Sequence, residues 1–313
     1  MKWLLVCISA AIAGGILKHA KIATERTAAR ISSFLFYIGL PIQVLSLTFS
    51  ADLQSTLLIP AVAAAFTITL GSALSLVSIR SADRIFHWAR KGVERSDVAL
   101  DIPCVPRTLA GSMVLGSCLG NSSWVGMVLF PQILDEVWHS WIAAFGVTHS
   151  VIGSYAAGPY LAAHYGSRKL TRSGMIGQIL KMPTFWAFVA GLLVGDRWAI
   201  DLSSVKPPIA ISAFFLLGTQ LTQLERSALL AATIPATIKT FLLPTVVGLV
   251  VSVIGIAGEA RLTLVLLSSL PSALISAILA QRFNLSPTVA AGTILASTLA
   301  LPFVIIYCFA MYG

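Results

Sequence analysis

Charged residues are scarce in this chain of 313 residues. Only 11% are Asp, Glu, Lys or Arg, whereas 57% are hydrophobic and the mean hydropathy is +0.89. A soluble globular protein carries about 25% charged residues, so the composition excludes that class. The short alternating segments of a membrane β-barrel are also missing. Runs of about 20 apolar residues instead predict an all-α integral membrane protein.

Paired cysteines and metal-ligand clusters are missing as well. Cys7, Cys104, Cys118 and Cys308 show no paired spacing, and three of them fall in apolar segments, which is typical of small packing residues. No set of Cys, His, Asp and Glu has the spacing of a metal site, so we expect neither metal nor cofactor. The net charge of +9 comes largely from short loops between spans and does not indicate nucleic-acid binding.

Ten apolar segments are predicted to span the membrane. They lie at about 3–17, 31–49, 56–79, 109–134, 141–163, 176–195, 207–221, 228–255, 262–281 and 286–311. If both termini are outside, sixteen of the 21 basic residues face the cytoplasm, four face the outside, and Lys239 remains within a span. This bias follows the positive-inside rule. We therefore expect a bacterial inner-membrane protein with both termini outside.

The fourth span has a middle that does not suit a membrane helix. Gly116, Gly120 and Gly126 loosen its backbone, and Asn121-Ser122-Ser123 adds side chains that compete for local hydrogen bonds. Broken backbone at membrane depth is tolerated only inside protein or beside a water-filled cavity. This stretch is therefore a candidate functional site.

The ninth span contains a second interruption. Its middle reads Leu267-Ser268-Ser269-Leu270-Pro271-Ser272-Ala273, and Pro271 removes a backbone donor and clashes with the preceding turn. The two interruptions are five spans apart, and because five is odd, the second set of five spans would be inverted in the membrane. We predict two inverted five-helix repeats, residues 1–165 and 175–313. Interrupted segments at corresponding positions of such repeats indicate a transporter binding site.

Several segments resemble one known family. Gly120-Asn121-Ser122-Ser123-Trp124-Val125-Gly126 is similar to the fourth-span signature of the auxin efflux carrier family of membrane transporters. Further similar segments follow in order over nearly the whole chain: Phe36-Tyr37-Ile38-Gly39-Leu40-Pro41, Leu217-Gly218-Thr219-Gln220-Leu221, Ile238-Lys239-Thr240-Phe241-Leu242-Leu243-Pro244, Leu270-Pro271-Ser272-Ala273, Ala280-Gln281-Arg282-Phe283-Asn284-Leu285, Ala290-Ala291 and Ser297-Thr298 before Pro302. Ser123 and Val128 depart from the family, which usually has Gly and Pro there.

This resemblance, within the bile acid/auxin-type transporter superfamily, implies a fold and an activity. The fold would be ten transmembrane helices in two inverted five-helix repeats, with broken helices four and nine crossing each other. Helices 1, 2, 6 and 7 would form a scaffold, and helices 3–5 and 8–10 a core that moves against it. Family substrates are mostly small organic anions. The expected function is secondary transport of a carboxylate or weak acid by elevator-type alternating access.

The chemistry of the two interruptions also favours an anion. A broken helix exposes N-terminal N–H groups that carry roughly half a positive charge, and two such ends facing one cavity attract a carboxylate. The alternative for their serines is packing, or bonding back to their own helix. The candidate substrate-binding residues at the interruptions are Asn121, Ser122, Ser123, Ser268, Ser269, Pro271 and Ser272.

Three further candidates lie in other spans. Lys239 is near the middle of span eight, where a lysine costs about 2.5–3.5 kcal/mol on insertion scales. It would provide charge for the substrate, form a gating contact, or bind helix-end carbonyls in a structural role. Gln43 is expected to line the cavity from the scaffold. His149 is a candidate proton relay or a packing residue. All twelve acidic residues lie in predicted loops or at span ends, which favours uniport, or coupling through His149 or the substrate's own proton.

The sequence leaves other interpretations open. An intramembrane serine hydrolase would use Ser122, within Gly120-Asn121-Ser122, as nucleophile and His149 as base. A non-transporting membrane sensor could have the same fold. Our preferred interpretation is a transporter rather than an enzyme, with a small organic anion and membrane lipid as partners, no nucleic acid, and a homodimer left open. Residues 80–107 are predicted as a basic loop, solvated or with a short amphipathic helix at 85–88.

Overall fold

In the computed structural model, every regular element among the described residues is helical. The structure describes residues 2–39, 41–42, 45, 58–93, 105–126, 129–130, 133–167, 183–194, 204–221 and 226–312. The all-α class predicted from the sequence is confirmed for this part of the chain. Gln43 and Val128 lie outside the described residues, and of Ser123 only the backbone is described.

The helices of the first half are interrupted by short π-helical turns. The described α-helices are α1 (Lys2–His19), α2 (Glu25–Phe34), α3 (Leu58–Val93), α4 (Arg107–Cys118), α5 (His139–Val151) and α6 (Gly158–Tyr165). π-helical turns follow α2 at Leu35–Gly39 and α5 at Ile152–Ala157, and a third lies at Ser122–Gly126, after the end of α4.

The second half shows the same kind of interruption. Its described α-helices are α7 (Pro183–Val194), α8 (Lys206–Leu221), α9 (Arg226–Thr237), α10 (Leu243–Val253), α11 (Gly258–Ser268), α12 (Leu274–Arg282) and α13 (Pro287–Tyr312). A π-helical turn, Ile238–Leu242, joins α9 to α10 without a loop. The ninth predicted span is divided around Pro271 into α11, which ends at Ser268, and α12, which begins at Leu274.

Among the described residues, three helical stretches are long and apolar enough to cross a membrane. They are Leu58–Ala82, Leu230–Val253 and Pro287–Tyr312, and they coincide with predicted spans three, eight and ten. Large apolar side chains on their surfaces are exposed, for example Leu249 at 61% and Phe303 at 70%. Such surfaces suit contact with hydrocarbon.

The prediction that residues 80–107 form a loop is wrong for their first half. Helix α3 continues to Val93, so residues 80–93 extend a membrane-length helix beyond its apolar part. Residues 80–91 contain neither glycine nor proline, so nothing in them stops the helix. The basic side chains Arg80 and Arg84 are exposed on this extension.

Helices α1 and α8 approach each other unusually closely. A Cβ atom added at Gly14 would lie 2.2 Å from the Phe215 carbonyl oxygen, and one at Gly218 would lie 1.8 Å from that of Ala11. Only glycine at these two positions lets the backbones touch, as in the small-residue interfaces of membrane helices. Helix α2 also packs on α8.

A second group of helices surrounds the interrupted spans. Helix α3 packs on α4 and α5, while α9 packs on α13, α10 on α11, and α12 on α13. Every residue from Ala110 to Cys118, from Leu262 to Ser268 and from Leu274 to Ala280 is buried. The helix segments beside the two interruptions are therefore enclosed by protein, which is where broken backbone is tolerated in a membrane.

Candidate functional site

The two interruptions meet and pair through their backbones. Gly120 and Ser272 form an isolated antiparallel bridge. The Asn121 N–H donates to the Pro271 carbonyl at 2.7 Å, and the Ala273 N–H donates to the Leu119 carbonyl at 2.8 Å. We call residues 119–122 and 269–273 the paired breaks. Each break uses the other to satisfy groups that its own helix no longer satisfies.

Side chains from neighbouring helices bond two further amides of the paired breaks. The Gly120 N–H donates to Nε2 of His149 at 3.4 Å, and the Ser272 N–H donates to Oγ of Ser297 at 3.0 Å. The Ser122 N–H bonds to the Gly120 carbonyl at 2.8 Å. Every backbone N–H of residues 119–122 and 272–273 therefore has an acceptor within the protein. These amides are not the donors left for a ligand.

Lys239 reaches the paired breaks from the π-helical turn Ile238–Leu242. Pro244 has no N–H to donate to the carbonyl of Thr240, and the helix widens here, with the Leu243 N–H bonding five residues back to Ile238. The Lys239 side chain is 1% exposed. Its Nζ lies only 3.0 Å from the position that a Cβ atom on Gly120 would occupy.

The ammonium of Lys239 is a cation without a described counter-charge. Across the described part of the chain, no hydrogen bond or ion pair joins its Nζ to another residue. A buried charge is retained when it is paired or when it binds a ligand. The same Cβ position on Gly120 lies 3.5 Å from Cε1 of the His149 ring. A side chain at position 120 would push against both.

Ser122 and His149 do not pair with each other. The Ser122 hydroxyl donates to the Gly146 carbonyl at 3.3 Å and lies 3.1 Å from Oγ of Ser150. Nε2 of His149 accepts from Gly120, and the imidazole ring stacks on Phe145 with centroids 5.6 Å apart. A nucleophile–base pair requires a direct hydrogen bond between the two side chains, and their hydrogen bonds here go elsewhere.

The serines of the second interruption mostly bond back to their own helices. The Ser268 and Ser269 hydroxyls donate to the Val265 and Leu266 carbonyls at 2.7 and 2.8 Å. Oγ of Ser272 lies 3.3 Å from Oγ of Ser276. Ser268 and Ser269 therefore follow the alternative of bonding back to their own helix, and their hydroxyl hydrogens are not free to bind a ligand.

The remaining predicted residues have mixed outcomes. Asn121 is 4% exposed at the centre of the paired breaks, and its carbonyl accepts from the Val125 and Gly126 amides at 3.1 Å each. Pro271 contributes its carbonyl oxygen to the pairing. The backbone of Ser123 lies in the π-helical turn Ser122–Gly126. Gln43 lies outside the described residues, so its prediction stays a prediction.

Sequence reasoning missed Ser297, which bonds an amide of the second break. Its hydroxyl also donates to the Thr293 carbonyl at 2.6 Å, and both residues are fully buried. Thr293 in turn packs against Gly116 of α4. The available signal was a pair of polar residues four apart in an apolar helix, which places them on one face.

The arrangement can bind an anion at the paired breaks. It combines a buried ammonium, the Asn121 side chain and the first turn of α12, which begins at Leu274 with no side-chain cap. The N-terminal end of a helix favours negative charge.

No protein-family model and no curated protein matches this chain.

Proposed function

We propose that this protein is a secondary transporter that moves a small organic carboxylate across the membrane by elevator-type alternating access. One observation carries the proposal: Lys239 is buried with its Nζ against Gly120 at the paired breaks, and no described carboxylate forms an ion pair with it. Burying a cation in this position costs free energy in the empty protein, and the binding of a carboxylate offsets that cost.

The packing of the helices supports the ten-helix inverted repeat. Spans three, four and five would correspond to spans eight, nine and ten. The described contacts follow that correspondence. In span three, α3 packs on α4 of span four and α5 of span five, and in span eight, α9 and α10 likewise pack on α13 of span ten and α11 of span nine. The antiparallel pairing of Gly120 with Ser272 joins the breaks of spans four and nine. This arrangement agrees with the resemblance to the auxin efflux carrier family, and both termini would then be outside.

In this mechanism the paired breaks hold the carboxylate while the core moves. Lys239 neutralises one carboxylate oxygen, and Asn121 and the first turn of α12 orient the other. The α1–α8 pair would belong to the scaffold, against which the remaining helices slide. His149 accepts a hydrogen bond from Gly120 through Nε2, so any proton relay through that nitrogen requires this bond to open.

The test is counterflow of labelled mono- and dicarboxylates in proteoliposomes that contain the wild type or Asn121→Ala. We expect carboxylate-specific exchange in the wild type and loss of exchange in the variant. Lys21→Gln is the control, because Lys21 is exposed and lies outside the paired breaks. No flux of any organic anion in the wild type overturns the transporter, whereas full activity of Asn121→Ala overturns the site.

The same assay separates the modes of coupling. Counterflow and net uptake are measured with and without sodium, and with and without a pH gradient. We expect no dependence on sodium, because every acidic residue lies in a predicted loop or at a span end and none is available at mid-membrane to hold the ion. A sodium requirement would contradict this part of the proposal.

A further inference from the structure

A cavity of about 240 Å³ lies between α2 and α12. Its polar lining comes from Ser32 and Ser33 of α2, Tyr37 of the adjoining π-helical turn, and Gln281 and Arg282 of α12. Arg282 is eight residues beyond the start of α12, which is about 12 Å along the helix axis. The cavity is therefore separate from the paired breaks and lies toward the predicted cytoplasmic side.

Arg282 dominates the charge of this cavity. Its Cζ lies 5.0 Å from the centroid of the Phe36 ring, which is buried and lines the cavity. Within the residues that the structure describes, no carboxylate is paired with this guanidinium. The nearest acidic residue along α2, Glu25, forms an ion pair with Lys18. The electrostatics of the cavity thus favour an anion.

The chemistry of the lining is that of a carboxylate site with an apolar wall. A guanidinium presents a planar fork of N–H donors that matches the two oxygens of a carboxylate. The hydroxyls of Ser32, Ser33 and Tyr37 are further donors at the same opening, and Ile278 adds apolar surface beside the Phe36 ring. The volume is below the roughly 300–1,000 Å³ typical of drug-sized ligands, so it suits a small carboxylic acid with a compact apolar body.

We infer that this cavity, which we call the Arg282 pocket, is a second carboxylate-binding site. It would capture a small organic anion on the cytoplasmic side before the anion reaches the paired breaks. That role in transport rests on the proposed function, whereas the binding itself does not. The pocket joins α2, of the predicted scaffold, to α12, of the predicted core, so an anion held there contacts both groups of helices.

The binding test uses the full chain in lipid nanodiscs with labelled benzoate as the probe and neutral benzamide as its isosteric control. All measurements are made in a Lys239→Met background, which removes the cation of the paired breaks. We expect benzoate to bind and benzamide not to bind. Adding Arg282→Gln should weaken benzoate binding at least tenfold, because it removes the charged donor that bonds the carboxylate. Adding Arg84→Gln, an exposed arginine outside the pocket, should leave it unchanged.

Arg282→Lys tests the geometry, since lysine keeps the charge but not the planar fork. It should bind benzoate less tightly than arginine does. Equal affinity of Arg282→Gln and Arg84→Gln, or equal binding of benzoate and benzamide, overturns the pocket.

Counterflow with otherwise wild-type protein separates the pocket from the transporter. If the wild type exchanges no organic anion while benzoate still binds through Arg282, the transporter proposal fails and the pocket stands. If the wild type exchanges carboxylates but Arg282→Gln changes neither benzoate binding nor the KM of exchange, the pocket fails and the transporter stands.

Discussion

The Lys239→Met variant distinguishes a lysine kept for its substrate from one kept for structure. Lys239 is 1% exposed and has no described partner, so its charge is desolvated in the empty protein. Methionine has an unbranched side chain of similar length and no charge. Since a mid-span lysine costs about 2.5–3.5 kcal/mol on insertion scales, we expect the variant to gain about 2 kcal/mol in the free energy of unfolding. We expect carboxylate counterflow to be lost at the same time.

The assay pairs unfolding in detergent, followed by tryptophan fluorescence, with counterflow in proteoliposomes. Lys21→Met is the matched control, because Lys21 is exposed and surface substitutions usually change stability by no more than about 0.5 kcal/mol. A less stable Lys239→Met would show that the ammonium bonds structural carbonyls. A variant that is stable and still exchanges carboxylates would remove Lys239 from the binding site. Either result refutes the reasoning that carries the proposed function.

Three further variants test the surroundings of Lys239. Gly120→Ala places a methyl group 3.0 Å from Nζ of Lys239, so we expect a loss of about 1–3 kcal/mol in stability and lower flux. Adding Lys239→Met should restore part of the stability, and additive effects of the two substitutions would contradict the contact. His149→Gln keeps an acceptor for Gly120, so carboxylate counterflow should persist. It should lose any stimulation of flux by a pH gradient, and stimulation that persists excludes the relay. Ser122→Ala removes the Ser122 hydroxyl contacts at 3.3 and 3.1 Å, so the free energy of unfolding should fall by about 1 kcal/mol. Labelling of the wild-type Ser122 by a fluorophosphonate probe would instead favour the hydrolase.

The interruptions could be predicted from sequence because their causes are local. Glycine, proline and a polar run inside an apolar span weaken or remove hydrogen bonds of their own helix, and the structure divides the chain near Gly120 and at Pro271. The continuation of α3 to Val93 is also local, since residues 80–91 contain no helix breaker. Polarity alone predicts a loop there, but a polar segment without a helix breaker can extend a helix.

The contacts that build the site could not be predicted in the same way. Lys239 and Gly120 are 119 positions apart in the sequence, and their approach depends on how α4 packs against the eighth span. Ser297 resembles many buried serines that bond only to their own helix, and its contact with the Ser272 amide depends on the placement of α13. Side-chain types thus indicated which residues carry chemistry, whereas tertiary packing decides which of them meet.

The pairing of the breaks constrains how the proposed alternating access would occur. Separating Gly120 from Ser272 would leave at least two backbone hydrogen bonds, those of the Asn121 and Ala273 amides, unmade at membrane depth, at several kcal/mol for each unsatisfied group. The contact of Arg282 of α12 with Phe36, in the π-helical turn after α2, is a cation–π interaction of an exposed arginine, worth only about 0.5–1 kcal/mol. The breaks should therefore stay together and move as one body. If the two groups of helices move against each other as proposed, an anion in the Arg282 pocket would bind where α2 meets α12.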